Sequence, residues 1–177
     1  QDTCRDESWA TAHCMQDHVV YLANSSGLKV GITRASQVPT RWFDQGASQA
    51  IPFIRVSTRY QSGLVEDVIR QWVTDRTNWQ AMLKDQLEEL DMEAEREQMF
   101  AKAEAVISAL EQRFGTFAIQ RETESKAIRI HYPVNKYPTK VSSLNFDKTS
   151  EISGQLQGIK GQYLILDTGV LNIRRFT

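Results

Sequence analysis

A phenol at Tyr21, an ammonium at Lys29, a guanidinium at Arg41, a carboxylate at Glu66 and a carboxamide at Asn78 are the side chains here whose types suit chemistry on a phosphate ester. Hydrolysing a phosphodiester needs a nucleophilic water, neutralised charge on the phosphate and help for the leaving oxygen. A guanidinium presents a planar donor fork to phosphate oxygens. A carboxylate with several waters can hold Mg²⁺ or Mn²⁺. A phenol serves as a base only where a strong local field lowers its ordinary pKa of about 10. Each side chain also has a plainer use. A strand tyrosine packs, a lysine on an open strand is solvated, and Arg41 near Asp44 forms a surface ion pair worth little. Glu66 beside Asp67 and Arg70 reads as an exposed helix face, and Asn78 reads as a helix cap. A second constellation is Cys4, His13, Cys14 and His18, a candidate zinc set whose spacing is not that of a standard finger. Two free thiols on an irregular arm is its alternative, and His18, just before the Tyr21 strand, also has the option of touching the active-site face.

These groups need elements to position them. His18–Ala23 and Leu28–Thr33 read as strands of a hairpin turning through Asn24–Gly27. Pro39 permits a helix start ahead of Thr40–Phe43, and Gly46 is its stop. A third strand follows at Ile51–Arg59. Ser62 reads as the N-cap of a helix whose apolar face is Leu64, Val65, Val68, Ile69, Trp72 and Val73. That helix breaks at 75–78, and Trp79–Leu83 is a short helical piece. Residues 86–114 read as a long amphipathic helix, acidic in its first half, with Phe100, Ala103, Val106, Ile107, Leu110 and Phe114 as its stripe and Gly115 as its stop. Beyond it, alternating stretches at Ala127–Tyr132, Val141–Phe146, Gly154–Gln157, Gly161–Leu166 and Val170–Arg175 predict a small all-β, barrel-like unit. The expected class is α+β. An arm at 1–17 precedes a β-β-α-β-α domain with its long helix at 18–114, and a β unit at 115–177 follows, with the boundary near 115–124. The chain lacks an initiating Met and stops inside what reads as a strand, as a truncated piece would.

On this order of elements the chain resembles the GIY-YIG nuclease superfamily. Val19-Val20-Tyr21 and Lys29-Val30-Gly31 match its two tripeptides, with Val19 in place of Gly and Lys29 in place of the second Tyr. Lysine also occurs there in some restriction-type and phage-type branches. Arg41, Glu66 and Asn78 match the family's helical Arg, metal-binding Glu and late Asn. Longer strings, Val20–Arg34, Pro39–Trp42, Asp44–Ala47, Thr77–Lys84 and Gly158–Tyr163, look like the bacterial domain-of-unknown-function family numbered 2797. The superfamily resemblance implies a divalent-metal-dependent endonuclease on DNA. Tyr21 would be the general base, Lys29 would lower its pKa and contact phosphate, and Arg41 would hold phosphate oxygens. Glu66 would bind Mg²⁺ or Mn²⁺, and Asn78 would orient a phosphate or hold the helix end. The numbered family carries further cysteines upstream, which implies that Cys4 and Cys14 are half of a larger zinc site.

Gross composition limits these expectations. The net charge is −1, so no global basic field announces nucleic acid, and binding must use a local groove. Arg34, Arg59 and Trp42 are the candidate nucleic-acid contacts beside the site. Trp79 is a further stacking candidate, while Trp72 reads as core. Lys136, Lys140, Lys148, Lys160, Arg174 and Arg175 tilt the β unit towards basic. No run of eighteen apolar residues predicts a membrane span, and the first residues do not read as a signal peptide. Only two cysteines occur, as expected of a cytoplasmic protein. Two other functions fit the same fold: a nucleic-acid-binding module without turnover, and a protein-interaction module using the acidic helix 86–114.

Overall fold

The computed structural model describes residues 6–74 and 76–176. It is a mixed α/β structure with two open antiparallel sheets. A short helix α1 (Glu7–His13), capped by Asp6, leads into β1 (His18–Asn24). β1 pairs with β2 (Leu28–Arg34) and with β3 (Gln49–Val56), so it lies inside the sheet. All seven residues of β1 are buried, which explains its nearly unbroken apolar run. Successive side chains still alternate between faces. Val20 and Leu22 join one core with Ile54, Val65, Phe100 and Ile107, whereas Val19, Tyr21 and Ala23 join another with Trp42, Ala47 and Ala50.

Helix α2 (Thr40–Asp44) follows the hairpin and covers the Tyr21 face with Trp42. Helix α3 (Arg59–Ile69) begins earlier than expected. Thr58 and Gln61 form a reciprocal capping box, while Ser62 donates to the Arg59 carbonyl inside the first turn. It also ends earlier. Trp72 and Val73 lie beyond it, and Trp72 is 39% exposed rather than core. Asn78 caps α4 (Trp79–Lys84).

The long helix α5 spans Met92–Phe114 rather than starting at 86. A buried amide network holds the preceding segment out of the helix. Gln49 exchanges hydrogen bonds with the backbone of Leu90 at 2.8 and 3.0 Å, and Asn24 donates to the Glu88 carbonyl at 2.9 Å. Asp91 then caps the helix. Arg96 of α5 donates to the carbonyls of Glu122, Thr123 and Ser125, which ties down the link between β4 (Ile119–Arg121) and β5 (Ile128–Arg129). Both strands pair with β3, so the first sheet continues past the expected boundary to Arg129.

The second sheet is an open meander of β6 (Leu156–Lys160), β7 (Tyr163–Leu166) and β8 (Gly169–Asn172). The stretch expected as a strand at 141–146 contributes one isolated bridge, Ser143 to Val170. Lys160, fully buried, fastens the meander to the rest. Its ammonium pairs with Asp85 at the end of α4 and lies 5.4 and 5.2 Å from the ring centres of Tyr132 and Tyr137. Cations over aromatic faces are attracted by the ring quadrupole.

The two ends of this ion pair differ in exposure, so breaking it from either side has unequal cost. Asp85→Asn leaves a sealed ammonium without its counter-ion, and about 3 kcal/mol of stability should be lost. Lys160→Met leaves a carboxylate that water can reach, and should cost clearly less. Urea unfolding of the two variants checks the order. An equal or reversed order would show that the pair does not fasten the meander.

Candidate active site

Tyr21 and Lys29 lie on the same face of the hairpin, one on each strand. Tyr21 stands opposite Gly31 in the β1–β2 register. Its ring lies across that glycine, where an added Cβ would come within 2.6 Å of both Cζ and Oη of the tyrosine. The absent side chain at 31 therefore lets the phenol reach the edge of the sheet. There the hydroxyl donates to Gln45 Oε1 at 2.8 Å. Behind it the ring packs on Trp42, with centroids 5.7 Å apart. The phenol is pushed up to about 12, chiefly by burial; Arg41 pulls it down and Glu66 pushes it up. Both charges therefore act on the Tyr21 hydroxyl, although one comes from α2 and the other from α3.

Lys29 is 4% exposed, not solvated. Its ammonium donates to the same Gln45 Oε1 at 3.0 Å and to Thr77 Oγ1 at 2.8 Å. The backbone reinforces this second contact, because the Val30 N–H donates to the Thr74 carbonyl at 3.0 Å. Burial, then the Arg41 charge, lowers Lys29 to about 8. Lys29, Arg41, Asp44, Gln45 and Thr77 line one side of an open cleft of about 480 Å³. Trp79 stands on α4, and Gln162, Tyr163 and Arg174 bring the C-terminal unit to the same cleft. Three cations against one carboxylate make its lining a place for an anion.

Of the predicted set, Lys29 and Arg41 line the cleft. Tyr21 is fully buried behind Gln45, and neither it nor Glu66 is among the lining residues, although the charges of Arg41 and Glu66 both reach the Tyr21 hydroxyl. Asn78 is exposed and takes the helix-end option: its Oδ1 accepts from the Ala81 N–H at 3.2 Å, and its own N–H donates to Ser26 Oγ. The expected base-stacking role of Trp42 does not fit its position. It is 1% exposed, with its indole nitrogen buried, so no ring face is open to a base. Arg34 and Arg59 do not line the cleft. Their charges bear on His18, which burial chiefly holds below its ordinary pKa. By strand alternation His18 shares the face of Val20, not that of Tyr21.

The zinc set fares differently by residue. Cys4 lies outside the described residues. Cys14 is a free thiol, His13 stacks on Trp9 at 4.5 Å and bonds the Trp9 carbonyl, and His18 Nδ1 bonds the Gln16 carbonyl at 2.6 Å. Among the described residues no group of three or more His, Cys, Asp or Glu side chains is arranged to hold a metal. Sequence reasoning missed Gln45 and Thr77 as site residues. The signal was available: both lie inside the strings quoted for the numbered family, Asp44–Ala47 and Thr77–Lys84.

A family model described as "Protein of unknown function (DUF2797)" matches residues 1–177. No curated protein and no solved structure matches the chain.

Two outcomes are expected of this geometry. Gly31→Ala forces the Tyr21 ring aside, and by the cost of overpacking should lose about 1–3 kcal/mol in urea unfolding; an unchanged midpoint would show that the close approach constrains nothing. Lys29 should carry a pH signature. Its folded pKa, about 8, lies below its ordinary 10.5. The unfolded chain therefore holds the proton more tightly between those values, and the lysine's contribution to stability rises with pH across that window. Binding of inorganic phosphate should do the opposite, weakening as pH passes upward through about 8 while Lys29→Met is weak and flat. Calorimetric titration at several pH values checks this.

Proposed function

We propose that this chain, which belongs to the DUF2797 family, is a divalent-metal-dependent endonuclease of the GIY-YIG type that hydrolyses phosphodiester bonds in DNA. One observation carries the reading: the Lys29 ammonium and the Arg41 guanidinium line one cleft with Gln45, whose oxygen also accepts from the buried Tyr21 phenol, and the charges of Arg41 and Glu66 both reach that phenol. The hairpin-helix-strand-helix order with β1 inside the sheet supports the same reading.

The residues divide the work by their chemistry. Arg41 offers its planar fork to two phosphate oxygens, a geometry that lysine cannot reproduce. Lys29, charged below about 8, adds a compact positive charge beside it. Gln45 accepts from both Lys29 and Tyr21 and so sets the spacing between them. Tyr21 in the free protein is a neutral donor, pushed up to about 12, and needs further positive charge nearby before it can accept a proton. Glu66, whose charge reaches the Tyr21 hydroxyl, would be the carboxylate that holds Mg²⁺ or Mn²⁺. A single carboxylate with waters fits those ions and does not fit a closed zinc site. When bound, such an ion supplies Lewis-acid stabilisation of the leaving oxygen.

A second reading, a nucleic-acid-binding module without turnover, is favoured by one specific observation: burial holds the Tyr21 phenol neutral, against the pull of Arg41. The two readings separate on Glu66. Cleavage of labelled single-stranded, duplex and branched DNA with Mg²⁺ or Mn²⁺ should fall by roughly a hundredfold or more in Tyr21→Phe and Glu66→Ala, the scale of losing an acid–base group. Retained salt-dependent binding in the absence of any wild-type cleavage would select the binding module. Cleavage by Glu66→Ala at the wild-type rate would remove the metal site from Glu66.

A further inference from the structure

We infer that the C-terminal meander makes the cleft a reader of unpaired nucleotides, with the Trp79–Tyr163 pair receiving a base whose phosphate lies on Lys29 and Arg41. This rests on the phosphodiester reading above and names its substrate class: single-stranded or locally unpaired nucleic acid.

Three observations combine. Trp79 opens α4 and Tyr163 opens β7, and their rings stack with planes 3° apart and centroids at 5.8 Å. Both are only partly buried, and both line the cleft that Lys29, Arg41, Gln45 and Thr77 line from the other side. Gln162 and Arg174 stand beside them in the same lining. The cleft therefore has an anion-binding wall and an aromatic wall, the two surfaces that a nucleotide presents in reverse. Base stacking on aromatic side chains is sequence-tolerant because every base has a π face. The Gln162 amide offers both a donor and an acceptor to a base edge.

The aromatic wall is fixed relative to the phosphate wall. Gly161, in the β6–β7 turn, has φ +58, and an added Cβ there would come within 2.9 Å of the Asp44 carbonyl oxygen and 3.0 Å of the Gly46 nitrogen. The turn thus beds directly on the segment that carries Gln45. Size favours a nucleotide over a duplex gripped by its backbone, because a hollow of about 480 Å³ suits a ligand of nucleotide size. The lining cations Lys29, Arg41 and Arg174 release few counter-ions, so stacking supplies the remaining affinity.

The test uses the full chain in EDTA, which prevents cleavage, and fluorescence anisotropy with three labelled ligands: a short single strand, the same backbone with abasic sites, and the matched duplex. The intact single strand should bind about tenfold tighter than either other ligand, the scale of one lost stack. Tyr163→Leu should remove that advantage and Tyr163→Phe should keep it. Equal affinity for all three ligands overturns the inference and leaves the phosphodiester reading standing. Failure to bind any of them overturns the phosphodiester reading, and the inference falls with it. Discrimination that survives Tyr163→Leu overturns the role of the aromatic pair. The comparison of ligands on the wild-type chain needs no variant to fold.

Discussion

One carboxamide oxygen organises the site. Gln45 Oε1 accepts from the Tyr21 hydroxyl and from the Lys29 ammonium, both withdrawn from water, and it sits just past the end of α2. Without it the Tyr21 hydroxyl would lose its acceptor and Lys29 would keep only Thr77, and an unmatched polar group in a dry environment costs several kcal/mol. Everything around Gln45 keeps that oxygen in place. Gly31 leaves room for the phenol to arrive, Trp42 backs the ring, and the Gly161 turn rests on Asp44 and Gly46 on either side of Gln45. The C-terminal meander is therefore part of the site's support, held by the pair of the sealed Lys160 with the half-exposed Asp85.

Much of this frame was legible in the residues. The hairpin with its turn at 24–27, the short helix after Pro39 and the third strand follow from branched and aromatic runs punctuated by glycine and proline. The companions Tyr21, Lys29, Arg41 and Glu66 were legible as a set of types in a given order. What periodicity could not see was long-range polar pairing. Residues 86–91 have helical composition, yet Gln49 and Asn24 claim the backbone of Leu90 and Glu88 and keep the segment out of the helix. Trp72 continues the helical spacing of α3, but the helix has already ended. The strands at 119–121 and 128–129 are too short to announce themselves and depend on β3 for partners. Periodicity misses Gln45 for a related reason: a glutamine after a helix has no distinctive local pattern, and only its place in the string Asp44–Ala47 marks it before two strands deliver donors to it.

Charge placement explains how a chain of net charge −1 can hold an anion site. Six of its 22 acidic residues lie in the segment 88–97, outside the cleft lining, while Lys29, Arg41 and Arg174 share that lining with Asp44. Low-dielectric walls strengthen the field of the nearest charges and leave the distant ones screened. Net charge thus says little about the cleft.

The two buried lysines show what the fold does for stability and what it does for chemistry. Lys160 has a carboxylate and two tyrosine faces, the arrangement expected of an ammonium that only has to be kept. Lys29 has, among the described residues, only the neutral acceptors Gln45 and Thr77, with Arg41 close enough to repel it. Such an environment disfavours the charged form, and a methionine of similar length would pack there without that cost. A chain under selection for stability alone would not keep an ammonium in such a place. Local rules are broken in this way mainly where a site needs the broken arrangement, and a buried cation held, among the described residues, by neutral acceptors beside a cleft is one that an incoming phosphate can complete.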